Sequence, residues 1–204
     1  MASAKEIQDR MRSIKDTFKI TNAMYMISSS KLKKSKKMLA DTEPYFYTLQ
    51  SEMSRILRHL PDMNSIYFKT NAEIPERKRK AGYIVITADK GLAGSYNHNI
   101  LKLAEEELEK RDDYKLFVLG ELGRHYFEQK GINIDKQFHF VVQDPSLSRA
   151  RRIAEDLLKL YHENQLDELY IIYTTMVNAM QEEAQVAQLL PLKKTDFKIP
   201  VPID

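Results

Sequence analysis

Two stretches of this 204-residue chain group side chains closely enough to do chemistry. The first is Ile86, Thr87, Ala88, Asp89, Lys90, Gly91, Leu92, Ala93, Gly94, Ser95, Tyr96, Asn97, set between an apolar β-branched run and a helical pattern. That is where backbone amides and a helix N-terminus cradle phosphate. The stretch lacks the Gly-Lys-Ser/Thr ending of a phosphate loop, and its two glycines, three residues apart, are not followed by the third glycine of the dinucleotide fingerprint. It reads as a tight structural turn capped by Ser95 or Asn97. A nucleotide-binding α/β protein using residues 89–97 is the alternative. The second stretch is the basic cluster Lys31, Lys33, Lys34, Lys36 and Lys37. By itself it is the wet face of a helix, or a phosphate-binding surface on a basic coiled coil.

Elsewhere the chemistry is sparse. His59, His98, His125, His139 and His162 never fall at metal-ligand spacing. Glu105, Glu106 and Glu107 suit the first half of a helix, where they face water and complement its dipole. No serine sits in a nucleophile elbow, and the absence of cysteine removes disulfides and thiol catalysis. No catalytic residue, cofactor or metal is expected. No apolar run approaches the roughly 20 residues of a membrane span, and the N-terminus has no secretory core, so a cytoplasmic chain is expected.

The elements that carry these stretches differ in kind. From Met1 to Thr42 there is neither glycine nor proline, and Ile7, Met11, Ile14, Phe18, Thr21, Tyr25, Ser28, Leu32, Ser35 and Leu39 recur at alternating spacings of four and three. That is the heptad seam of a coiled-coil helix, a rod roughly 60 Å long at the helical rise. Pro44 is expected to kink it, after which Phe46, Leu49, Met53, Ile56 and Leu60 extend it to about His59. Residues 1–60 are thus one long helix and 61–81 a solvated connector. Residues 82–204 form an α/β domain with an extended tail from Lys198 to Asp204.

Within that domain strands are predicted at Tyr83–Thr87, Leu116–Leu119, Ile132–Val142 and Leu169–Thr174. Helices are predicted at Asn99–Arg111, Glu121–Gln129 and Ser146–Glu163. Their alternation predicts a mostly parallel, Rossmann-like sheet with flanking helices; Glu182–Leu190 is ambiguous between helix and strand, with an added edge strand the favoured reading.

Charge sharpens the picture of the rod. Residues 1–43 hold ten Lys and Arg against five Asp and Glu, a net +5 that leaves −2 for the rest. Eleven uncharged residues, Ile20 to Ser30, precede the lysines, and Ile20, Met24 and Ile27 form a second apolar stripe beside the seam. A helix with two apolar stripes has to be covered on more than one side. The sequence offers no second long helix, so the cover comes from another chain or from a part of the protein this sequence omits. The lack of aromatics among the lysines argues against single-stranded nucleic acid, and no nucleic-acid partner is expected.

Three passages resemble the gamma subunit of the rotary ATP synthase. They are Ala4 to Ile7 running through Ile20, Thr21, Asn22, Ala23, Met24, Tyr25 and Met26 to Leu32; the loop Thr87 to Asn97; and Gln188, Leu189, Leu190, Pro191, Leu192. The resemblance runs through nearly the whole chain. It implies a non-catalytic rotor subunit whose N-terminal helix pairs with a C-terminal helix as a central shaft inside a ring of alpha and beta subunits. Its central domain would bind no nucleotide and would sit beside the epsilon subunit and the membrane ring of c subunits. Rotation would couple proton or sodium flow to ATP synthesis or hydrolysis on the beta subunits, at the cytoplasmic side of a bacterial membrane, with peripheral attachment. Ile20, Met24, Ile27, Lys31, Lys33, Lys34, Lys36 and Lys37 would face the beta subunits. Ala93 and Ser95 depart from the cysteine and glycine frequent in the family. The chain ends at Asp204, before the expected C-terminal shaft helix.

Overall fold

A computed structural model describes residues 3–60, 64–69, 71–135, 142, 145–178 and 180–197. The first element, α1, is a single helix from Ala4 to His59. Ser3 starts it: its hydroxyl accepts from the Glu6 amide while the Glu6 carboxylate accepts from the Ser3 amide, satisfying two of the donors that every helix N-terminus leaves open. Pro44 lies inside α1. A mid-helix proline costs about 3 kcal/mol, and the long regular segments on either side carry the helix through it by cooperativity. The Thr42 and Thr48 hydroxyls donate to the carbonyls of Met38 and Pro44, one turn back on each side.

Residues Asp62–Asp196 make a separate compact unit. It contains β1 (Ala81–Ile86), α2 (Tyr96–Leu108), β2 (Tyr114–Leu119), α3 (Glu121–Gln129), α4 (Leu147–His162), β3 (Glu168–Asn178) and β4 (Gln181–Leu190). The strand order is β2-β1-β3-β4, with β1 parallel to both neighbours and β4 antiparallel to β3. The edge strand predicted over 182–190 is therefore present. Asp135 makes an isolated parallel bridge to Phe117, and most of the strand predicted over Ile132–Val142 lies outside the described residues. So does the tail predicted from Lys198 to Asp204.

Both sheet faces are apolar, which is why β1 reads as a continuous hydrophobic run rather than an alternating one. Tyr83, Val85, Leu116, Val118 and Ile172 pack with Ile100, Ala104 and Leu108 of α2 and with Phe127 of α3. On the other face Ile84, Phe117, Leu169 and Leu190 pack with Leu157 and Tyr161 of α4. Phe127 is completely buried. Phe127→Ala is expected to lower unfolding free energy by about 3–5 kcal/mol in a urea titration, and a loss below about 1 kcal/mol would mean α3 does not close this core.

The connector is pinned to the α/β unit at several points. Tyr67 and His162 are joined at 2.9 Å through the phenol oxygen and Nε2, and Tyr161 donates to the Ile66 carbonyl at 3.1 Å. Asp167 accepts from the Asn71 amide group and from the Lys80 backbone. Arg79, part of the connector expected to be solvated, is instead mostly buried against Glu168 at 2.8 Å. Long-range pairing of this kind leaves no local mark in a sequence.

Glu168 is the centre of that pairing. It also meets Arg111 at 2.7 Å and accepts from the Tyr170 hydroxyl at 2.9 Å. Arg111 donates to the hydroxyls of Tyr83 and Tyr170, lies 5.6 Å over the Tyr170 ring, and bonds to the Glu76 carbonyl. The Tyr83 and Tyr170 rings stack at 5.3 Å. Burial, followed for Tyr170 by the adjacent Glu168 charge, raises both phenol pKa values above the ordinary 10.

A phenol raised in the native state stays neutral where its unfolded counterpart ionises, so its stabilisation is complete below pH 10 and disappears as pH climbs beyond it. Thermal stability is expected to fall steeply above pH 10. Phenolate absorbance should show these two tyrosines titrating after the exposed ones. A melting temperature indifferent to pH in that range would contradict the shift.

Candidate partner-binding surface

All eight residues singled out on the rod, Ile20, Met24, Ile27, Lys31, Lys33, Lys34, Lys36 and Lys37, lie on α1 and are exposed. Ile20, Met24 and Ile27 are 62%, 44% and 58% exposed, values that for apolar side chains mark a surface not closed by this chain's own helix. The helix holds its shape here without glycine or β-branched crowding, apart from Ile20, Thr21 and Ile27, and the Thr21 hydroxyl donates back to the Thr17 carbonyl at 2.9 Å.

Helical geometry sorts the eight residues into two groups. At about 100° per residue, Ile20, Met24, Ile27, Lys31 and Lys34 fall within roughly 80° of one another and form one continuous stripe, apolar first and then basic. Lys33, Lys36 and Lys37 point to the opposite flank. The heptad seam through Thr21, Tyr25, Ser28 and Leu32 runs about 100° away from the first stripe. Tyr25 is 70% exposed and Leu32 49%. Three surfaces therefore run side by side on one rod: an apolar seam, an apolar stripe with basic continuation, and a flank that carries Lys33, Lys36 and Lys37 with Met26 before them. The sequence grouping of five lysines as one cluster missed this division, which the helical period makes legible.

Chemically this arrangement can bind but not react. Ammonium groups on flexible stems attract acidic surfaces over about a Debye length of roughly 8 Å at physiological salt, without fixing an angle. Fitted apolar contacts do fix one. Among the described residues no three His, Asp or Glu side chains gather as metal ligands. No helix of the described residues is long and apolar enough to cross a membrane.

The loop after β1 is a structural turn held from within α2. The Asn97 side-chain oxygen accepts from the Ala88 amide at 2.9 Å, occupying a donor that a phosphate would need, while Ser95 makes no capping bond. Of the two cap residues expected, only Asn97 acts. Asp89 accepts from the Val142 amide. Leu92 and Gly94 have positive φ values of 64° and 57°. A Cβ on Gly91 or Gly94 would meet nothing within 4 Å, so neither glycine serves the close helix–strand packing of a dinucleotide fingerprint.

The close approach lies at the next turn. Gly120 has φ of +103°, and a Cβ there would fall 2.3 Å from the Thr87 carbonyl oxygen. A Cβ on Gly123 would fall 2.7 Å from the Thr87 hydroxyl, which accepts the Gly123 amide and donates to the Leu119 carbonyl. Sequence reading passed over this pair, although Gly120 follows a strand and both glycines open a helix.

Comparison with known proteins agrees with this architecture. The family described as ATP synthase matches residues 3–201. The ATP synthase gamma chain of Acetivibrio thermocellus is 44% identical over 198 residues, 97% of this chain and 66% of that one. That of Ruminiclostridium cellulolyticum is 40% identical over 201 residues, 98% of this chain and 68% of that one. The chain thus spans about two thirds of the length of the curated relatives it matches. A structure of the Tetrahymena thermophila mitochondrial ATP synthase central stalk and c-ring aligns with a TM-score of 0.61 at 22% identity, covering 84% of this chain and 72% of that chain, which establishes likeness of fold. With an exposed two-striped helix, a mostly parallel sheet and identity sustained from one end of the sequence to the other, the chain belongs to the ATP synthase gamma chain family.

Proposed function

We propose that this chain is the central-stalk rotor of a membrane-associated ATP synthase. It carries no catalytic residue itself and transmits rotation between an ion-driven ring of c subunits and the catalytic sites on beta subunits. The observation that supports this most is the bare rod: α1 presents Ile7, Met11, Ile14, Phe18, Tyr25 and Leu32 at 49–70% exposure along its seam, and Ile20, Met24 and Ile27 beside it. Apolar surface of that extent belongs inside an assembly. The partners in this reading are alpha and beta subunits around the rod, with an epsilon subunit and the c ring beside the α/β unit. No nucleic acid takes part. Attachment to the membrane is peripheral, on its cytoplasmic side, and the ion is a proton or sodium. The test is co-purification: this chain is expected to come down with alpha and beta subunits, and its failure to do so when all are supplied would sink the reading.

Within the rod, Met24 and Ile27 supply directional packing, while Lys33, Lys34 and Lys37 supply attraction to acidic loops of the beta subunits. Reversing Lys33, Lys34 and Lys37 to Glu is expected to weaken association with alpha and beta subunits about tenfold at low salt, a difference that shrinks as salt rises. The same variant should lower the number of ions pumped per ATP hydrolysed. An unchanged pumping ratio would remove these lysines from coupling.

A further inference from the structure

The β3–β4 hairpin outruns the rest of the sheet. β1 pairs with β3 only as far as Val85 opposite Ile172, whereas β3 and β4 continue pairing to Asn178 opposite Gln181. The overhang exposes Met176 (51%), Val177 (52%) and Met180 (96%). Its tip is ordered by the Met180 amide donating to the Asn178 side-chain oxygen at 2.8 Å.

Among the described residues the outer edge of β4 has few of the usual protections, the irregular pairing with β3 being confined to the two ends of the strand. Proteins blunt a free edge with Lys, Pro or a bulge, because a regular row of open amides and carbonyls templates another strand. Gln181–Leu190 contains neither Lys nor Pro. Its register against β3 is regular from Tyr170 opposite Gln188 to Met176 opposite Glu182. Ala184 to Gln188 carries no charge at all.

The segment that forms this arm carries charge of one sign. From Glu163 to Leu192 there is no Lys or Arg, in a chain that holds 32 of them. Glu168 is already held by Arg79 and Arg111. The arm's exposed carboxylates are Glu182, opposite Met176, and Glu183, opposite Thr175, so one lies on each face of the strand.

We propose that the outer edge of β4 docks an extended, basic segment of another subunit, which adds to the sheet as a fifth strand. Main-chain bonds along Ala184 to Gln188 hold the segment. A Lys or Arg near its end meets Glu182 or Glu183, and the overhanging methionines give its apolar side chains a surface. The inference rests on the stalk reading for where the partner is found.

The test reads amide hydrogen exchange residue by residue, on the chain alone and on the chain assembled with alpha, beta and epsilon subunits. On assembly every second amide from Ala184 to Gln188 is expected to slow by about 100-fold or more, the alternation marking a new ladder rather than general cover. Glu182→Lys with Glu183→Lys is expected to forfeit at least about tenfold of that protection, while the core amides of Val85 and Ile172 exchange as before, showing an intact fold. Equal rates with and without the other subunits, uniform slowing of all five amides, or protection indifferent to charge reversal would each overturn the proposal. An assembly that forms with a bare edge defeats this inference alone. Failure to assemble defeats the stalk reading and this inference with it.

Discussion

Arg111→Leu is expected to destabilise the α/β unit by about 3–5 kcal/mol, the range for removing one partner of a buried ion pair. The Arg111 side chain is 3% exposed and Glu168 8%, so the loss leaves a carboxylate in a dry site with Arg79 as its remaining cation. The damage is not confined to charge. Arg111 also donates to the Tyr83 and Tyr170 hydroxyls and bonds to the Glu76 carbonyl, so the end of α2, two strands and the connector lose a common anchor.

Lysine at 111 is expected to recover less than half of the loss, because a point charge cannot serve those acceptors as a planar fork does. Urea denaturation followed by near-UV circular dichroism measures both variants. The chain has no tryptophan, and the stacked Tyr83 and Tyr170 report the site itself. A change below about 1 kcal/mol for Arg111→Leu would show that the network contributes no net stability.

Gly120→Ala is expected to cost about 4 kcal/mol, combining backbone strain with overpacking. A φ of +103° lies in territory that side-chain-bearing residues rarely occupy. The new methyl would also press on the Thr87 backbone, which is fixed by its amide donating to the Leu119 carbonyl at 2.8 Å. Neither strand end can retreat, since β1 and β2 are paired up to Ile86 and Leu119.

Gly91→Ala is the contrasting case, with open space around it and no positive φ, and is expected to change stability by less than about 0.5 kcal/mol. Thermal unfolding of the two variants separates the turns. Equal losses would mean that the loop after β1 is as tightly built as the one after β2.

That contrast shows where sequence reading stopped short. The Gly91 and Gly94 pair resembles a phosphate-binding pattern. The tight contact lies instead at Gly120 and Gly123, whose neighbour Thr87 is more than thirty residues away in the chain. Likewise Arg79 and Glu168 are unremarkable in their local contexts, and only the return of β3 beside β1 brings them together. The eight residues of the rod all lie on one exposed helix. Their division between a continuous stripe and an opposite flank required the helical period to be applied to the lysines as well as to the apolar positions.

What the sequence determined by itself was everything governed by local repetition. The glycine-free and proline-free start gave α1, the three–four spacing its seam, and the excess positive charge the basic stretch, because helix periodicity is written into neighbouring residues. Alternating strand and helix signals likewise set the class of the α/β unit. Tertiary structure alone decided the strand order, the glycine turn against Thr87, the Glu168 anchor and the overhanging β3–β4 arm. Each of these depends on contacts between residues far apart in the chain, whose closure no short window of sequence records.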